Sequence, residues 1–290
     1  MAVRTDEVRN LMKSINNTRS ITKAMELVAG SRLHRTQSRM DASKPYARLI
    51  RRITGHMANA KIEYKHPCLR EIEINADSKI GYIVVATDRG LCGGLNTNLF
   101  RQVLQHVKDS PSTQDPSFIL YGNKANAYFK RLNARVLAEK THYGDRPELS
   151  EVLGPISVAR QLFNEHELDA VYVCYNQYVN TMTQRPVIEQ MLPLEALEED
   201  PSDQGHWDYI YEPEPVKILD TVIARYIETQ VYHAVIENIA CEQAARMVAM
   251  KAATDNAGKV LDDLRLMYNK ARQAAITQEL AEIVGGSEAV

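Results

Sequence analysis

With 290 residues, 44% of them hydrophobic, and a formal net charge of −2, the chain can bury a sizeable core and is neither disordered nor fibrous in composition. A total so near zero argues against a general nucleic-acid binder, but it hides an asymmetry. Residues 1–60 carry twelve Lys and Arg against four acids, a net of +8, whereas residues 193–215 carry eight acids and no Lys or Arg.

From Met1 to Lys44 there is no proline and a single glycine, Gly30. Val8, Leu11, Ile15, Thr18, Thr22, Met25 and Ala29 recur at alternating steps of three and four, the spacing of a coiled-coil seam. Pro45 interrupts a pattern that runs on through Leu49, Ile53 and Met57, so a local kink or lost hydrogen bond is expected there, with the stop between Gly55 and Pro67. The middle of the chain reads differently. Buried strands are predicted at Ile80–Thr87, Phe118–Gly122, Arg135–Ala138 and Ala170–Asn176, and further strand at Arg185–Leu192 and Tyr209–Glu212. Helical patterns at Asn96–Lys108, Lys124–Leu132 and Ser150–Glu165 lie between the first four, which is the alternation of an α/β sheet.

After Pro215 there is no further proline. Ile223, Ile227, Val231, Val235 and Ile239 form a stripe with a four-residue step, and Met250, Ala253, Ala257, Val260, Leu264, Met267, Ala271 and Ala274 a second heptad seam, with Gly285 and Gly286 as the stop signal. The fold class expected is therefore α/β, with an antiparallel coiled coil of the N- and C-terminal helices and a central Rossmann-like domain. The segments are 1–60 for the first helix, 75–200 for the α/β domain with a foot reaching about 215, and 216–284 for the last helix. Two apolar strips tethered to one domain meet at high effective concentration, which favours pairing within the chain over a homo-oligomer. The second helix is the longer and should overhang by roughly ten residues at 1.5 Å each. That tip, Arg272–Val284, has apolar residues around most of its circumference and calls for an apolar surrounding, with folding back on its own chain as the alternative.

Catalytic signals are weak. Gly90-Leu91-Cys92-Gly93-Gly94 sits between a strand and a helix, as a phosphate-binding turn would, but fits neither dinucleotide nor P-loop spacing. A tight turn needing positive φ accounts for it, and no cofactor is expected. Cys92 beside Arg89 could be an activated thiol, but no histidine stands near in sequence to act as its base. The four cysteines are far apart and the eight histidines form no HxxxH or HExxH pair, so neither disulfide nor metal centre is expected. No secretory leader, lipidation motif or membrane-spanning run is visible, so membrane contact is expected to be indirect, through a partner, from the cytoplasm.

Four segments together carry a family resemblance. Asn17–Ala29 (NTRSITKAMELVA), Thr87–Asn96 (TDRGLCGGLN), Glu242–Ala257 (EQAARMVAMKAATDNA) and Tyr268–Glu279 (YNKARQAAITQE) resemble, in the same order, segments of the gamma subunit of the F-type ATP synthase. The resemblance implies a non-catalytic rotor shaft: the coil stands in the bore of a ring of alpha and beta subunits, and the α/β domain sits with the epsilon subunit on the membrane c-ring. By the family's pattern Arg246, Arg272, Gln273, Thr277 and Glu279 match positions that contact beta-subunit loops, and Met25 a position facing beta's acidic lever segment. Trp207–Pro213 (WDYIYEP) resembles the foot, which implies c-ring and epsilon contacts for Tyr209 and Tyr211. The chain lacks the cysteine-bearing insertion of chloroplast members and begins without a transit peptide, which implies a bacterial complex at the cytoplasmic face of the inner membrane.

Overall fold

A computed structural model describes residues 5–59, 66–69, 72–194 and 215–288. Its elements are helix α1 (Thr5–Asn59), a 3-10 turn (Pro67–Leu69), β1 (Ile80–Val85), α2 (Leu95–Asp109), β2 (Ser117–Tyr121), α3 (Asn123–Arg131), β3 (Arg135–Lys140), α4 (Leu149–Asn164), β4 (Ala170–Tyr178), β5 (Gln184–Leu192) and α5 (Pro215–Glu288). The chain divides into two compact units, residues 32–245 and residues 1–31 with 246–290, so that each long helix contributes to both.

In the larger unit the five strands lie in the order β3-β2-β1-β4-β5, the first four parallel and β5 antiparallel to β4. The chain steps outward from β1 to β2 to β3, then returns through α4 to pair β4 on the other side of β1. Right-handed crossovers therefore place α2 and α3 on one face of the sheet and α4 on the other. Every residue of β1 (IGYIVV) is buried, as a central parallel strand covered on both faces requires. Its alternate side chains serve two cores. Tyr82 and Val84, with Phe118 and Leu120, meet Leu99, Phe100 and Val103 of α2 and Phe129 of α3. Ile83 and Val85, with Ile119, Tyr121 and Val173, meet Ile156 and Phe163 of α4 and the α5 stripe of Ile223, Ile227, Val231, Val235 and Ile239. That stripe is wholly buried, which is why the long helix is fastened to the sheet over several turns. The expected strand at Tyr209–Glu212 lies outside the described residues.

Within the smaller unit α1 and α5 run antiparallel. Thr22 Oγ1 and Thr254 Oγ1 are 2.8 Å apart across the seam, a Cβ added at Gly30 would come 3.3 Å from Met247 Sδ, and one added at Gly258 would come 3.9 Å from the Arg19 guanidinium. The three contacts share one register. The buried row of α1 here is Val8, Thr22 and Ala29 with Ile15 half-buried, a strict seven-residue repeat; Leu11 and Thr18 of the expected seam face water, Leu11 at 49% exposure. On α5 the inward positions are Met247, Met250, Thr254, Ala257, Leu261, Leu264, Tyr268 and Ala271, whereas Val260 and Met267 of the expected seam are exposed. The alternate positions of that seam are thus off by one residue. Small residues occupy both flanks of the row, so spacing by itself permits two phases, and the Thr22–Thr254 hydrogen bond belongs to one of them. Helix α1 runs on through Pro45 and ends at Asn59, between Gly55 and Pro67 as expected, whereas α5 passes its expected stop and continues through Gly285 and Gly286 to Glu288. Glycine lowers helix propensity by about 1 kcal/mol relative to alanine, which long helical neighbours can carry.

Candidate interface residues

The register of the coil sets where it ends. Thr5, the first described residue of α1, stands level with about residue 272 of α5, given a rise of roughly 1.5 Å per residue on both helices. From Arg272 to Val284 every α5 residue is exposed. Ile276 is 49% exposed, Leu280 58%, Ile283 68% and Val284 57%, a solvent-facing apolar stripe at steps of four, three and one. The tip is a continuous helix and does not turn back. Arg272, Gln273, Thr277 and Glu279 all project from it, and the Thr277 hydroxyl donates to the Gln273 carbonyl at 2.9 Å. Met25 is half-buried on α1, while Arg246 is 7% exposed on α5. Arg246 is thus packed among this chain's own residues, unlike the four positions at the tip. Tyr209 and Tyr211 lie outside the described residues.

The Gly90–Gly94 turn is built from its own side chains. Thr87 and Asn96 clasp its two ends: Asn96 Nδ2 donates to Thr87 Oγ1 at 2.8 Å, Thr87 N donates to Asn96 Oδ1 at 3.3 Å, and Thr87 Oγ1 donates to the Arg89 carbonyl at 2.7 Å. Positive φ is taken by Leu91 (63°) and Gly93 (58°). Cys92 is 3% exposed and packs with Leu95 against Cys241 of α5; Asn96 Nδ2 lies 3.5 Å from its sulfur. At the start of α3 a carboxylate from this chain fills the place an anion would take. Asp88 Oδ1 accepts the backbone N–H groups of Asn123 and His142, each at 3.0 Å. The motif is therefore a structural joint between β1, α2, α3 and α5.

A feature that spacing did not single out is an electropositive cleft of about 570 Å³. Arg32, Arg35 and Arg39 on one face of α1 meet His142 and Arg146 of the loop before α4. Arg32 pairs with Asp145, whereas Arg35, Arg39 and Arg146 make no ion pair among the described residues. The i, i+3, i+7 arginines were readable in the sequence; the loop that faces them was not. Among the described residues no group of His, Cys, Asp and Glu is arranged to hold a metal ion, and no helix is long and apolar enough to cross a membrane.

The family model that matches this sequence is described as ATP synthase, and it spans residues 4–290. The chain belongs to the ATP synthase gamma-subunit family. It is a rotor shaft of ATP synthase, a central-stalk subunit that carries no catalysis of its own. Solved structures similar to it are of the same kind. The rotor of the Euglena gracilis mitochondrial ATP synthase in rotational state 1 aligns at 21% identity over 94% of this chain and 98% of that chain, with a TM-score of 0.68. A chain of the same organism's OSCP/F1/c-ring structure in rotational state 3 aligns at 20% identity over 98% and 94%, with a TM-score of 0.70. One from the Tetrahymena thermophila mitochondrial ATP synthase central stalk and c-ring aligns at 20% identity over 80% and 99%, with a TM-score of 0.61. At these identities the likeness is one of fold: long terminal helices around a central sheet.

Proposed function

We propose that this gamma chain turns inside a ring of alternating alpha and beta subunits and couples ion flow through a membrane c-ring to ATP synthesis or hydrolysis on that ring. Residues 1–60 and 216–284 are the shaft; residues 75–200, with the foot to about 215, carry the contacts with epsilon and the c-ring, Tyr209 and Tyr211 among them. Arg272, Gln273, Thr277 and Glu279 at the tip, with Met25 along the shaft, are its ring-facing residues, and Arg246 meets the ring only through the small part of its surface that stays exposed. Through them the shaft regulates ATPase activity and proton flow. The complex works at the cytoplasmic face of a bacterial inner membrane, where the chain is peripheral and meets lipid only through its partners.

The observation that carries this reading is the helical tip, exposed from Arg272 to Val284, in a chain matched to the family over residues 4–290. A bare helix with Ile276, Leu280 and Ile283 in water loses roughly 25 cal/mol for each Å² of apolar surface left uncovered. An apolar sleeve removes that penalty while letting the helix turn. Rotation then acts by differential contact: an asymmetric shaft favours a different conformation of each catalytic site at each angle, and so shifts nucleotide affinity from site to site. Arg35 and Arg39 of α1, which make no ion pair among the described residues, offer the basic counterpart for beta's acidic lever segment.

Crosslinking tests the assignment. All four native cysteines are buried, so a thiol introduced by Ile276→Cys reacts selectively. In cells it should crosslink to alpha or beta chains of a complex that co-purifies as an ATPase. Crosslinks confined to a second copy of this chain would overturn the reading.

A further inference from the structure

The α5 helix is held on the sheet by two kinds of contact. The apolar stripe from Ile223 to Ile239 turns one face of the helix to the sheet, but apolar burial is non-directional within that face and sets the angle of the helix about its own axis only coarsely. Directional contacts come next, within little more than one turn. Asn238 Oδ1 accepts the amide N–H of Asn176 at 2.9 Å, Glu237 Oε1 accepts the backbone N–H of Tyr178 at 2.9 Å, and the Cys241 thiol donates to the Asn176 carbonyl at 3.1 Å. Pro186, the register partner of Asn176 on β5, has no N–H to offer. On the other side Tyr178 OH accepts Gln37 Nε2 of α1 at 2.6 Å. The last residues of β4 thus reach both long helices. Asn176 is 1% exposed and Asn238 0%.

The asparagine pair is a poor choice for stability. Asn176 Oδ1 is buried and makes no hydrogen bond among the described residues, the Asn238 amide has only the Tyr143 hydroxyl near its Nδ2, and two apolar side chains of similar volume would leave no amide unsatisfied. What the amides supply is position. A rotation of α5 or a slip by one residue would break all three bonds from Glu237, Asn238 and Cys241 together and strand their partners in a low-dielectric core.

Resting on the rotor reading, we propose that Asn176 and Asn238, supported by Glu237, Cys241 and Tyr178, form the clasp that fixes the angular setting of α5 on the sheet and so transmits torque between the α/β domain and the shaft. These are positioning residues. The test uses the whole complex in vesicles, comparing ions pumped with ATP hydrolysed, alongside the melting temperature of the chain. The double variant Asn176→Leu/Asn238→Leu should melt no lower than the parent and retain ATPase activity, yet pump several-fold fewer ions per ATP. Cys241→Ala, a milder change that removes one bond, should lower the ratio in the same direction and decides between the outcomes if the leucine pair does not fold. An unchanged pumping ratio in a folded variant overturns the clasp while leaving the rotor reading intact. A parent complex that hydrolyses ATP and pumps nothing overturns the rotor reading, and the clasp with it.

Discussion

Gly122 has φ of +92°, and a Cβ there would lie 2.3 Å from the Ala86 carbonyl oxygen, so Gly122→Ala should cost at least about 2 kcal/mol in urea unfolding. The Thr22–Thr254 pair exerts similar local control on the coil. Thr254→Val alone leaves the Thr22 hydroxyl without its cross-helix partner and should cost about 1 kcal/mol, while valine at both positions should be close to neutral. His106 adds a pH dependence. Burial holds its imidazole below the ordinary 6.5, with Asp109 opposing, and its Nδ1 lies 3.1 Å from Tyr82 OH. The unfolded chain takes up that proton more readily, so the stabilisation is complete above about pH 6.5 and is lost as the pH falls through the lowered folded value. His66 adds to the same trend: burial, its largest cause, and Arg160 lower it, while Asp220 raises it. The urea midpoint should therefore fall on acidification below pH about 6.5, and His106→Gln should flatten part of that fall.

At the scale of elements, the sheet and its helices were legible and the seams only half so. A strand such as IGYIVV is apolar on both faces and can only be central, and the α5 stripe at a four-residue step marks a face buried over several turns. Alanine-rich seams are different. Ala253 and Thr254 are both small enough to face a neighbour, and the choice between them falls to a partner hydroxyl 232 residues away. The tip is the element whose properties test the rotor most directly. Ile276→Asp with Leu280→Asp changes solvent-facing residues, so the chain's melting behaviour should shift by no more than about 0.5 kcal/mol. Co-purification with the ring subunits should nevertheless be lost. Arg272→Ala and Gln273→Ala should leave the helix formed and lower ATP synthesis relative to hydrolysis, which inverted vesicles can measure.

For the whole molecule, the fold class, the two long helices and the family were all within reach of the sequence, because each rests on patterns repeated over many residues or on contiguous motifs such as TDRGLCGGLN. Periodicity is a local property, set by 3.6 residues per turn in a helix and by two along a strand. The overhang of α5 also followed from counting residues. Tertiary structure alone decided the rest: which phase of each seam faces inward, that the glycine-rich turn is clasped by Thr87 and Asn96 with Asp88 at the start of α3, that Arg246 is buried, and that Asn176 meets Asn238. These depend on single contacts between residues far apart in the chain, and one hydrogen bond across a seam leaves no period for a sequence to display.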